Sequence, residues 1–140
     1  MKRYTFLLSF VIVFTLTIST FAKDSIKDWK KYSQNLVATL KSNHDGLKQS
    51  AMQRVIQYSD KLDVKDAAFN IYNVYRFEKN EKLRRLALVA LYNTNYNWAM
   101  DQIANDLENE QSPILKKQMS FMVNEYFKER QNSYSSLASN

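Results

Sequence analysis

In 140 residues the chain has one glycine, Gly46, and one proline, Pro113. Glycine and proline supply the positive-φ and fixed-φ corners of hairpins and tight turns. A fold of many short strands therefore has almost no means of turning, and Ala, Leu, Lys and Gln, all strong helix formers, fill the sequence instead. The chain is expected to be all-α. Its length suits one domain, since a closed core takes about 100 to 150 residues. There is no cysteine, so disulfides and thiol chemistry are excluded and stability has to come from helix packing.

Lys2 and Arg3 precede an uncharged run over residues 4–18, followed by Ser19, Thr20, Phe21 and Ala22. A basic start, an apolar stretch and small residues at Thr20 and Ala22 form the pattern of a secretory signal with cleavage after Ala22. Retention as an anchor is the alternative, although the stretch barely reaches a span of about 20 residues and is diluted by Ser and Thr. The expected organisation is a signal over 1–22, a helical domain over 23–129 and a flexible tail over 130–140. Cleavage removes two of the 20 basic side chains, leaving 18 against 14 acidic ones. This mild positive balance in an exported, periplasmic or secreted chain points away from nucleic acid and toward a protein partner or an anionic envelope surface.

Apolar periodicity and capping residues divide the rest into six helices. Ser25 reads as the cap of the first, which carries Trp29, Tyr32, Leu36 and Leu40. The second carries Leu47, Ala51, Val55 and Tyr58 inward. Asp63, Asn80 and Asn95 read as caps of the third, fourth and fifth. Ser112 followed by Pro113 opens the sixth, because a Ser cap accepts an orphan amide and proline at the first helical position forfeits no hydrogen bond.

Shifted by 32 residues, the third and fifth helices superpose Ala67 on Ala99 and Ile71 on Ile103, and the fourth and sixth superpose Leu83 on Leu115, Arg84 on Lys116 and Arg85 on Lys117. A shift of 36 adds the second helix, with Leu47, Lys48, Ala51 and Val55 over Leu83, Arg84, Ala87 and Leu91. The stretch from Leu83 to Leu91, with its Leu-Arg start followed by Ala at helical spacing, resembles the first helix of a HEAT repeat. Ser112-Pro113-Ile114-Leu115-Lys116-Lys117 is similar to the residues that open such a helix. The resemblance implies a short right-handed α-α superhelix, a HEAT-like solenoid of about three helix pairs. It places the second helices, with Asp66, Asn70, Asn73, Asp101, Gln102 and Asn105, on the concave side.

Catalytic and cofactor motifs are missing from the sequence. The lone His44 beside Asp45 and Gly46 reads as a turn residue, a single glycine leaves no phosphate-cradling loop, and the carboxylates read as caps and solvated helix ends. No enzyme activity, cofactor or metal is expected. The sites that remain are surfaces. Lys48, Arg84, Arg85, Lys116 and Lys117 hold equivalent places in three helices and would align into a basic ladder along one edge. Such a ladder is either a binding site or a set in which one member of each pair is solvated and the other pairs with an acidic neighbour. Trp29, Tyr58, Tyr75 and Tyr126 fit the core, whereas Tyr72, Tyr92, Tyr96 and Trp98 flank the inward stripe and, if exposed together, would make an interaction surface. The expected function is a non-catalytic protein-binding or scaffold module of the bacterial envelope or extracellular space, with an anionic polymer or lipid head group on the ladder as the alternative. N-terminal analysis of the protein from its native source should find Lys23 first; a chain starting at Met1 in the membrane fraction would contradict the cleavage reading.

Overall fold

The computed structural model describes residues 28–138, so the candidate signal over 1–22 and the proposed cap Ser25 lie outside the described residues. Six α-helices follow one another: α1 Trp29–Leu40, α2 Asp45–Tyr58, α3 Val64–Phe77, α4 Glu81–Asn93, α5 Asn97–Asp106 and α6 Pro113–Ala138, with a 3-10 turn at Leu107–Asn109 after α5. There is no strand among the described residues, and none of their helices is long and apolar enough to cross a membrane.

Local chemistry sets the helix starts. Asp63 Oδ1 accepts from the Lys65 N–H at 3.4 Å, Asn80 Oδ1 from the Lys82 N–H at 3.1 Å and Ser112 Oγ from the Leu115 N–H at 3.4 Å, each satisfying an amide that has no partner inside its helix. Two starts differ from expectation. Asp28, not Ser25, caps α1 by accepting from Lys31 N–H. Asn95 does not begin α5: it sits at φ 49°, in the left-handed region that asparagine tolerates, and Tyr96 takes the cap position. Thr94 closes α4 by donating its hydroxyl to the Leu91 carbonyl at 2.6 Å. Thr94 and Asn95 thus make the corner between α4 and α5 without a glycine.

Each helix packs only on helices one or two places away along the chain. Helices α1, α3 and α5 therefore form one row and α2, α4 and α6 the other. The helices that superpose in the shifted sequence fall in the same row. Between the rows lies one continuous core from Leu36 to Tyr126. Ala51, Ala67, Ala68, Ala87, Ala90 and Ala99 are all buried, and these small side chains let the helices approach closely. Met52, Met100, Met119 and Met122, unbranched and adaptable, are buried in the same core.

Tyr75 and Tyr126 are buried as expected, while Trp29, Tyr32 and Tyr58 form a half-buried cluster with ring centroids 5.5 to 6.2 Å apart. Leu47, expected inward, is 49% exposed. It lies in the first turn of α2, the first helix of its row among the described residues. The stretch from Arg130, read as the start of a tail, is helical as far as Ala138.

Leu91 is fully buried at the inward position of α4, so Leu91→Ala should lower the unfolding free energy by about 2 to 5 kcal/mol. A loss under about 0.5 kcal/mol in urea titration, the range of surface changes, would contradict this packing.

Candidate functional site

The five cations of the expected ladder separate into two kinds. Lys48 Nζ lies 2.5 Å from Glu78, and Arg84 Nη2 lies 2.6 Å from Glu110 Oε2. Arg84 also donates from Nε to the Tyr75 carbonyl at 2.8 Å and lies over the Tyr75 ring. Lys116 Nζ donates to the Glu108 carbonyl at 3.1 Å. Arg85 and Lys117, the second members, are exposed. The shared register of these cations is therefore a packing role for Lys48 and Arg84, which the exposed Lys116 does not share, and an outward position for Arg85 and Lys117.

The packing role is a four-residue clasp that occurs twice. In the first, Lys48 holds Glu78, and Asn80 Nδ2 donates to Asp45 at 3.2 Å. In the second, Arg84 holds Glu110, and the Ser112 hydroxyl donates to Glu81 at 2.7 Å. An acid and a base in the first turn of one helix thus bind the cap residue of the next helix in the row and the carboxylate two positions before it. Sequence reasoning missed Glu78 and Glu110, although they stand 32 residues apart and two before successive caps, a signal that the shifted comparison contained.

Electrostatics supports the clasp. For Glu78, the Lys48 hydrogen bond holds the carboxyl below its ordinary range against the opposing effect of burial, helped by the N–H groups of Lys79 and Asn80. Burial acts against the charged form of Glu110, but the Ser112 N–H, Arg84 and the Tyr75 hydroxyl outweigh it and its pKa is lowered. Burial, then the charges of Glu110 and Asp106, push the Tyr75 phenol up, which keeps it protonated as a donor to Glu110 at 3.1 Å. These groups line an open cleft of about 540 Å³ together with Arg76 and Asp106. Arg76 and Asp106 are themselves paired at 2.7 Å, so each of the five charged side chains around the cleft has an ionic partner.

The flanking aromatics meet on the other row. Trp98, in the first turn of α5 just past the Asn95 corner, packs on Phe69 at 5.8 Å, on Tyr72 at 5.5 Å and on Tyr96 at 6.1 Å. Phe69 is 55% exposed, and a cleft of about 260 Å³ runs between it, Tyr96, Trp98, Lys65 and Asp66. Tyr72 is anchored by donating to Asp106 at 2.8 Å. Tyr92 lies apart on α4 and does not join the group. The exposed His44 is the residue before α2 and donates its N–H to Ser42 Oγ, as a turn residue does. Among the described residues no three His, Cys, Asp or Glu side chains converge as a metal would require.

Since Glu78 and Glu110 titrate below the carboxylate range of unfolded chains, near 4.3, their stabilisation is complete above that value and is lost as pH falls through their lower folded values. Stability should be flat from about pH 7 to 5 and fall below about pH 4. Glu110→Gln should remove about 2 to 3 kcal/mol at neutral pH and flatten the acid limb. Parallel acid limbs in urea titrations of the two proteins would contradict the assignment.

No protein-family model, no curated protein and no solved structure matches this chain.

Proposed function

We propose that the chain is a non-catalytic binding module, a short HEAT-like solenoid that presents the Phe69–Trp98 patch to a protein partner. The observation that carries this reading is Phe69: a phenyl ring 55% exposed and packed at a tilt against Trp98, held outward by a helix whose opposite face is buried. Aromatic side chains clustered in this way supply most of the energy in protein interfaces, and polar Asp66, Asn70, Asp101 and Gln102 on the same two helices suit the rim of one.

The neighbour-only packing and the twice-repeated clasp support the solenoid reading, because repeat proteins stack units that each touch only the next. So does a change at the last helix. Leu88, buried in α4, corresponds to the half-exposed Ser120 in α6, and Tyr92 to the exposed Asn124. A terminal repeat needs such a polar outer face. Export to the periplasm or beyond, with the signal over 1–22 removed, is part of the same proposal and rests on the sequence pattern of Lys2, Arg3 and residues 4–22.

Capture from the native envelope fraction tests the function. Phe69→Ser alters an exposed side chain, so the melting temperature should hold within about 2 °C while partner recovery falls about tenfold or more. Equal recovery by both proteins would rule the patch out as the binding site.

A further inference from the structure

The second members of the basic pairs belong to a different surface, the outer face shared by α4 and α6. Gln118 Nε2 on α6 donates to the Arg85 carbonyl on α4 at 3.0 Å, and Gln118 lines one open cleft with Lys82, Arg85, Leu86 and Val89. The two faces are therefore contiguous. Along α6, Ile114, Lys117, Phe121 and Lys128 recur at i, i+3, i+7 and i+14, the spacing of one helix face, and all are exposed. Phe121 is 66% and Ile114 51% exposed. Unlike Lys48, Arg76 and Arg84, the cations Lys82, Arg85, Lys117 and Lys128 form no ion pair with a described residue. Glu125 and Glu129 are the carboxylates on this side of α6, and both charges reach Tyr92 of α4. The corresponding residues of α2, namely Gly46, Gln49, Ser50, Gln53 and Gln57, carry no charge; α2 exposes Arg54, which donates to Gln57 at 2.8 Å, and Leu47, but the clustering of several cations with Phe121 and Ile114 belongs to α4 and α6.

We propose that this face docks on an anionic phospholipid bilayer, with Phe121 and Ile114 entering the boundary between head groups and acyl chains and the four cations lying among the lipid phosphates. The geometry favours a planar surface over a peptide. A peptide helix lays its apolar stripe into a groove, but here the bulky apolar side chains stand out from a two-helix face and are bordered by free cations, the arrangement of interfacial membrane binders. The uncharged run over residues 4–18, whether removed or kept, also brings the chain to a bilayer during its synthesis. Docking in this way leaves the Phe69–Trp98 patch, on the other row, open to its partner, and does not depend on that patch being a binding site.

The test is co-sedimentation of the protein as isolated from its source with vesicles of phosphatidylcholine alone and of phosphatidylcholine with about 30% phosphatidylglycerol. Binding should be stronger on the anionic vesicles and that preference should vanish between about 0.05 and 0.5 M salt. Reversing Arg85 and Lys117 together to Glu should weaken anionic-vesicle binding at least about thirtyfold with no change in melting temperature. Phe121→Ser should weaken it about five- to tenfold. Equal binding to both vesicle types, which an apolar N-terminal segment alone would produce, overturns the proposal. So does an anionic preference that survives the double reversal, or capture of a soluble acidic protein through this face in the absence of lipid binding.

Discussion

The carboxylate of Glu110 accepts from groups in three elements: the Tyr75 hydroxyl of α3, the Arg84 guanidinium of α4 and the Ser112 N–H at the entry to α6. It ties α3 and α4 to the entry of α6 at a point where the chain has neither a disulfide nor a glycine to shape the junction. Apolar burial is non-directional and would allow adjacent helices to slide or rotate. A buried, hydrogen-bonded ion pair does not, because displacing either partner leaves an uncompensated charge. The Lys48–Glu78 clasp repeats the arrangement at the entry to α4, with a lysine on a more modest set of partners.

That constraint sorts the basic pairs of the described residues. Lys48 and Arg84, facing the junctions, are taken up by Glu78 and Glu110, and Lys116 bonds only the Glu108 carbonyl, while Arg85 and Lys117, each one residue after Arg84 or Lys116, are exposed. A helix turns about 100° per residue, so adjacent cations on one helix cannot both reach the same junction. The basic pairs that look redundant in the sequence therefore serve two different faces. With α1, α3 and α5 in one row and α2, α4 and α6 in the other, the aromatic patch and the free cations lie on separate rows, so a partner on one does not obstruct the other.

Helix number and most of the buried stripe were legible because both follow from local rules. Capping needs a side chain that reaches an amide two or three residues on, and Asp63, Asn80 and Ser112 each do so. Asn95 misled because asparagine suits a helix cap and a left-handed corner equally well, and only the backbone path decides between them. Leu47 has the right spacing for burial but lacks a covering helix among the described residues, a fact about the row and not about the helix. The clasps join residues 26 to 35 positions apart in the chain, beyond the reach of periodicity, although the equal spacing of Glu78 and Glu110 is visible once their partners are known. Trp98 was legible as a flanking aromatic. Phe69 and Phe121 were not, because an exposed phenylalanine on a helix has no pattern of its own until the opposite face is known to be full.

The division of the basic pairs is tested most directly by comparing the melting temperatures of Arg84→Gln and Arg85→Gln. These adjacent substitutions remove the same charge from the same helix. If the clasp holds α4 to the entry of α6, Arg84→Gln should lower Tm by roughly 8 °C or more, and Arg85→Gln should leave it within about 2 °C of the parent. Equal shifts, or a larger loss at Arg85, would contradict the account.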